Sequence, residues 1–319
     1  MNQNTTVVLA GGLGNQLFQF GAAFSVGGDG ELNLDQSLGY PRLNQDGEPE
    51  ISSFILPGHT SFLGLRRRSW LARKFVGFNI RTHLAPKSYE KNLIVRALIR
   101  ATTNIVIQLH FGRKMVLEIA KGLGFYSMGT VTNKTLLIGY FQSYKWTDEE
   151  KIKSKVLSIK LKEHSKEFGV LHQKITLDLP TIVHMRRGDY LQEDNFGVLS
   201  DAYYSSALTQ LMKEIPIETI WLFTDSREEI LSSLPEEFRS KTFVVPNEQI
   251  SPSETLELMR YGSSYIIANS SFSWWGAYLR KNQHAPVYAP HKWFNGMDDP
   301  DQLLPPDWRI VQINNPFTE

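Results

Sequence analysis

The chain has 319 residues, 41% of them hydrophobic and 21% charged, which excludes a disordered or fibrous protein and suits about two globular domains. Lys and Arg number 34 against 33 Asp and Glu, a net charge of +1, so the protein is not built as a whole to coat nucleic acid. There is no cysteine, which excludes disulfides, thiolate zinc sites and a cysteine nucleophile.

The near-zero total conceals a segregation of charge. Residues 60–115 carry twelve Lys/Arg and a single acid, Glu90, for a net +11. Residues 1–59 carry −5, as do residues 116–319.

Residues 1–28 have no charged side chain but contain Asn2, Gln3, Asn4, Asn15, Gln16 and Gln19, unlike the basic and apolar regions of a signal peptide. The second uncharged run, 261–279, is interrupted by Ser and Asn throughout. Neither reads as a membrane span. The chain reads as cytoplasmic, with peripheral attachment at the inner membrane face left open.

In chain order, residues 6–10 predict a buried strand that enters the glycine turn Gly11-Gly12-Leu13-Gly14-Asn15-Gln16 and then a helix with Leu17, Phe20 and Phe24 on its apolar side. This is the first half of an α/β unit. The turn is not a dinucleotide fingerprint, because Leu17 stands where the third glycine belongs, and it has no Walker lysine. A strand follows at 31–35. Residues 36–64 read as loops, 90–120 as helical, 136–140 as a strand and 148–159 as a helix. Strands are then expected at 181–185, 219–224, 242–245, 265–268 and 287–289, with helices at 201–214, 226–233, 253–261 and 272–281. Regular strand–helix alternation implies a parallel sheet covered on both faces, with ligands at the carboxyl ends of its strands.

Three segments of that half carry chemistry. His184-Met185-Arg186-Arg187-Gly188-Asp189 closes one strand. Adjacent guanidiniums suit a diphosphate clamp, arginine being the residue that grips phosphate oxygens in pairs; the plainer reading is a structural ion-pair network. Asn269-Ser270-Ser271-Phe272-Ser273-Trp274-Trp275 follows another strand. A serine-capped helix start offers amide donors to phosphate, although simple capping explains any one serine. The two tryptophans either stack on a sugar or face the core. Thr224-Asp225 follows a third strand; its carboxylate either accepts from a nucleoside or caps the next helix, a task that Ser226 can also do. Asp299-Pro300-Asp301 has acid-x-acid spacing but reads as a solvated loop, and the eight histidines show no metal spacing.

Taken together, Gly11–Gln19, Tyr140-Phe141-Gln142-Ser143, His184–Tyr190, Asp201–Tyr204 and Ser271–Ala277 resemble the α-1,2-fucosyltransferases of glycosyltransferase family 11, in the same order over most of the chain. The resemblance implies an α/β, GT-B-like fold of two Rossmann-like domains. Residues 1–160 would form the acceptor-side domain, and 161–319 the donor domain with a parallel sheet. It implies an inverting transfer that needs no metal or other cofactor, from GDP-β-L-fucose to the 2-hydroxyl of a terminal β-galactoside, with the acceptor oligosaccharide free or lipid-linked. Nucleic acid is not an expected partner. Arg186 would grip the β-phosphate. Gly14, Asn15, Gln16, His184, Arg187, Asp225, Ser270, Ser271, Phe272 and Ser273 would bind the donor, with Asn15 toward the fucose. Asp189 would orient an arginine, and Glu193 and Asp194 are the candidates for a general base. Another GDP-sugar transferase, or a non-catalytic glycan-binding protein using the tryptophans, are the rival readings. The basic 60–115 segment is either a solvated helical surface or a contact for an anionic bilayer.

Overall fold

The computed structural model describes residues 4–64, 69–84, 93–111, 115–120, 123–128, 134–188, 197–226 and 230–318. The chain forms two compact units: Met1–Lys160 with Pro300–Leu303, and Leu161–Asp299 with Leu304–Glu319. Strands β1 to β13 span Asn4–Val8, Glu31–Asp35, Phe54–Ile55, His59–Leu63, Val116–Ile119, Lys134–Ile138, Lys160–Leu161, Thr181–Met185, Ile220–Thr224, Thr242–Val244, Ser264–Ile266, Val287–Pro290 and Arg309–Val311. Helices α1 to α9 span Leu13–Gly27, Ser69–Leu84, Leu93–Phe111, Glu150–Leu157, Lys166–Asp178, Asp201–Met212, Glu236–Arg239, Pro252–Met259 and Ser271–Tyr278.

The first unit holds a parallel sheet in the order β4-β2-β1-β6-β5. Its central strands are buried along nearly their whole length, as the continuous apolar runs of a sheet covered on both faces require. Helices α2 and α3 close one side by sinking Ala72, Val76 and Ile107 among Val8, Leu117, Leu136 and Ile138. The second unit holds a six-stranded parallel sheet, β10-β9-β8-β11-β12-β13. Helix α6 lays Tyr203, Tyr204, Ala207, Leu208 and Leu211 on Val183, Leu222 and Ile266.

Several expectations need correction. The stretch 36–64 contains strands β3 and β4. The helical stretch at 90–120 ends at Phe111, and Val116–Ile119 is a strand beside β6. Its alternating burial has a period of two, which a short window inside a helical pattern conceals. Of the helix expected at 226–233, a 3-10 turn at Ile230–Ser233 lies within the described residues. Helices α2 and α5 and the edge strand β13 carried no expectation.

Candidate functional site

The order of the second sheet locates the site. The chain enters at β8 in the middle, runs outward through β9 and β10, then returns to the other side of β8 as β11. Connections leave in opposite directions at β8 and β11, opening a crevice at their carboxyl ends. The segments that follow β8, β9 and β11 are those the sequence singles out.

Past β8, Arg186 Nε lies 3.1 Å from Asp225 Oδ2, past β9. The same carboxylate accepts the backbone N–H of Arg187 on Oδ1 at 2.9 Å and that of Gly188 on Oδ2 at 3.2 Å. Asp225 is thus the post around which the β8 loop is wound. Glycine suits position 188, because a Cβ there would sit 3.1 Å from Asp225 Oδ2 and press the carboxylate off its partners by a few tenths of an ångström. Arg186 and Asp225 keep about a fifth of their side-chain surface, 20% and 23%, so the pair borders solvent and a ligand can reach it. Arg187 turns elsewhere: its guanidinium donates to Asp201 in the first turn of α6. The two adjacent arginines therefore have separate carboxylate partners. The sequence marks Asp201 as a helix start, and the fold makes it a counter-ion as well.

His184 is buried on β8, and its Nδ1 has no hydrogen-bond partner among the described residues. Burial first, and the Arg186 charge second, push its pKa down to about 3 against the opposing pull of Asp225. The imidazole is therefore neutral at physiological pH and offers one donor and one acceptor. Its ring centre is 6.0 Å from that of Phe272, which brings the β8 end and the start of α9 together.

At α9, Ser270 is the N-cap and accepts from Phe272 N at 3.3 Å. Ser273 is turned inward, its hydroxyl shared between the carbonyls of Ala268 and Ser270 at 3.1 Å each. Ser271 and Phe272 remain partly exposed at the helix start. Trp274 and Trp275 are 0% and 1% exposed and pack with Tyr278, and Trp274 also with Trp308. The core reading holds for both, and neither is a stacking platform for sugar. Asn269, at the head of that segment, ties the end of β11 to the carbonyls of Gly197 and Trp293, both at 2.9 Å. Asn247 donates to Thr224 O at 2.7 Å and steadies the residue before Asp225.

In the first unit the equivalent crossover lies between β1 and β6. Gly11, at φ +76°, makes the turn after β1, where a Cβ would meet Asn15 Nδ2 at 2.6 Å. Partly exposed Asn15 accepts from Gln142 Nε2 at 2.9 Å, joining the ends of β1 and β6. Gln16 is fully buried. It donates to Gly11 O and Arg42 O at 2.9 Å and accepts from Ile51 N at 3.0 Å. Its amide holds three backbone segments together. Gly14 is buried in the first turn of α1. The amide end of that helix is already engaged, since the buried Glu50 side chain accepts from Leu13 N at 2.6 Å.

Asp189, Glu193 and Asp194 lie outside the described residues. Asp299 accepts from Trp293 N and Phe294 N at 2.9–3.0 Å, so it ties a loop. Among the described residues, no three His, Asp or Glu are grouped to hold a metal, and no helix is long and apolar enough to cross a membrane.

The chain is similar to known proteins over most of its length. An Escherichia coli α-1,2-colitosyltransferase is 27% identical, the match covering 90% of this chain and 91% of that protein. The E. coli O-antigen biosynthesis glycosyltransferase WbnK is 29% identical, with 90% and 94% covered. Among solved structures, E. coli ADP-heptose LPS heptosyltransferase II superposes with a TM-score of 0.51 at 11% identity, covering 99% of this chain and 92% of that one. That likeness is one of fold, and the fold class is the α/β, GT-B-like one expected. The model of the glycosyl transferase family 11 matches residues 117–302, more than half of the chain, and the chain belongs to that family.

Proposed function

We propose that this glycosyltransferase moves L-fucose from GDP-β-L-fucose to the 2-hydroxyl of a terminal β-galactoside, with inversion and without a metal. The observation that carries the reading is the Arg186–Asp225 pair, held at the sheet crossover beside the start of α9. When the bond from fucose C1 to the β-phosphate oxygen breaks, negative charge grows on GDP. A guanidinium and helix-end amides, fixed before the reaction, stabilise that charge with little reorganisation. His184, neutral beside Arg186, supplies a hydrogen bond to the nucleotide without adding charge. The acceptor oxygen attacks C1 from the face opposite GDP, and its proton passes to a carboxylate, for which Glu193 and Asp194 are the candidates. Asp189 keeps its assignment as an orienting acid, and Asn15 its assignment toward the sugar. Ser270, Ser271 and Phe272 line the phosphate end. Arg187 and Ser273 in the second unit, and Gly14 and Gln16 in the first, act by holding the loops that carry the contacts.

The resemblance to WbnK supports a surface glycan as the destination. The test is transfer from GDP-fucose to lactose, N-acetyllactosamine and Gal-β1,3-GalNAc, with and without a chelator. Chelator-resistant formation of an α-1,2 linkage is expected. Loss of all activity with chelator overturns the metal-free reading, and an Arg186→Ala protein with undiminished rate overturns the clamp.

A second donor is favoured by a specific observation, the similarity to an α-1,2-colitosyltransferase. Colitose is L-fucose lacking the 3-hydroxyl, so the two donors share every group that meets Arg186 and α9. Faster turnover of GDP-colitose than of GDP-fucose would select it. The glycan-binding reading loses its stacking surface with Trp274 and Trp275 buried; a rise in melting temperature with GDP counts further against it.

A further inference from the structure

Helix α3 is apolar on two sides, and the fold covers one of them. Thr103 and Ile107 are fully buried against the first sheet. Leu98, Ile105 and Leu109 are 61%, 61% and 77% exposed. At about 100° per residue these three lie within an arc of about 40°, opposite the buried pair. The neighbouring helix α2, which packs against α3, adds Trp70 at 65% and Leu71 at 48% exposure. Lys74 is exposed one turn on, its Nζ 4.5 Å from the Trp70 ring centre. The remaining six tryptophans, at 146, 221, 274, 275, 293 and 308, are all buried, so Trp70 stands apart from the rest of its kind. An apolar stripe of this length facing water on a helical pair is unfavourable unless something covers it.

The charge around the stripe decides between occupants. It lies within the segment with twelve Lys/Arg and one acid, and Lys74 on α2 is exposed beside Trp70. A second copy of this chain would bring +11 against +11. A nucleic acid would meet the cations but not the aliphatic residues. A bilayer with anionic headgroups satisfies both, burying the aliphatic and indole groups at the acyl boundary and pairing lysine and arginine with phosphate. We infer that the α2–α3 pair is a membrane-docking surface that lays Trp70, Leu98, Ile105 and Leu109 into the headgroup region of an anionic bilayer. The inference does not rest on which sugar the enzyme transfers.

The full chain is mixed with vesicles of phosphatidylcholine alone or of phosphatidylcholine with phosphatidylglycerol, and sedimented. Pelleting with the anionic vesicles, weakened by salt, is expected, together with a blue shift of tryptophan emission that is lost in Trp70→Phe. The Leu98→Gln/Leu109→Gln protein changes only exposed positions, so its melting temperature should match the parent's while vesicle affinity falls about tenfold or more. Failure to pellet with anionic vesicles overturns the inference, as does pelleting that the double variant leaves unchanged. A dimer in sedimentation velocity that the double variant dissolves would assign the stripe to a second copy and overturn it too.

Discussion

Replacing Asp225 with Asn tests whether one carboxylate organises the donor site. Its Oδ1 serves Arg187 N, and its Oδ2 serves Gly188 N and Arg186 Nε. Asparagine keeps one oxygen. Placed at the Oδ2 position, it retains Gly188 and Arg186 and points its NH2 at the Arg187 N–H; the reverse placement opposes two donors. At least one backbone donor loses its partner; both border solvent, so the loss is about 0.5–1.5 kcal/mol. The lost attraction to a partly solvated Arg186 adds about 0.5–1 kcal/mol, discounted for screening. The sum, about 1–2.5 kcal/mol, corresponds to a melting temperature lower by about 2–10 °C if the donor unit unfolds independently. GDP affinity should fall by about tenfold or more, because Arg186 is no longer held in one orientation. Scanning calorimetry and titration calorimetry with GDP read the two effects. A protein that melts within a degree of the parent and binds GDP equally would refute the claim that Asp225 anchors the loop.

Gln16→Ala should destabilise the first unit by about 1–3 kcal/mol in urea unfolding, since it strands the buried Ile51 N–H and unpairs the partly buried carbonyls of Gly11 and Arg42; a loss under about 0.5 kcal/mol would return Gln16 to a purely ligand-binding role. His184 has a folded pKa near 3 against an ordinary value of 6.5. The unfolded chain takes up this proton first, so the contribution is complete above pH 6.5 and is lost as pH falls toward 3, at up to about 1.4 kcal/mol per pH unit. His184→Gln should flatten that part of the stability–pH curve, and an unchanged slope would refute the assignment. Trp275→Ala should cost about 3–5 kcal/mol as a core cavity, with acceptor KM unchanged at a temperature where the variant is folded. A selective rise in acceptor KM would instead place the indole at the sugar.

Alternation of strands and helices, the glycine turn and the arginine motif are local features, and they were legible because burial period and turn chemistry depend on near neighbours. The strand at 181–185 appears as read, and so does the serine cap of α9. The strand at 116–119 was hidden because four residues are too few for a period of two to stand out beside a long helical pattern. The separate commitments of Arg186 to Asp225 and of Arg187 to Asp201 were not legible either, because the paired groups are 39 and 14 residues apart in the sequence.

The sequence by itself determined the class of fold, the candidate segments and the segregated charge behind a total of +1. Tertiary structure decided the partners. Parallel strands bring distant carboxyl ends together only after the sheet order is set, so no spacing rule reveals that Asp225 faces Arg186 or that Gln16 is spent on three backbone groups. The same holds for the tryptophans and aliphatic stripes. Which side of a helix meets a sheet is settled by packing, and packing buried Trp274 and Trp275 while leaving Trp70 and Leu109 facing water.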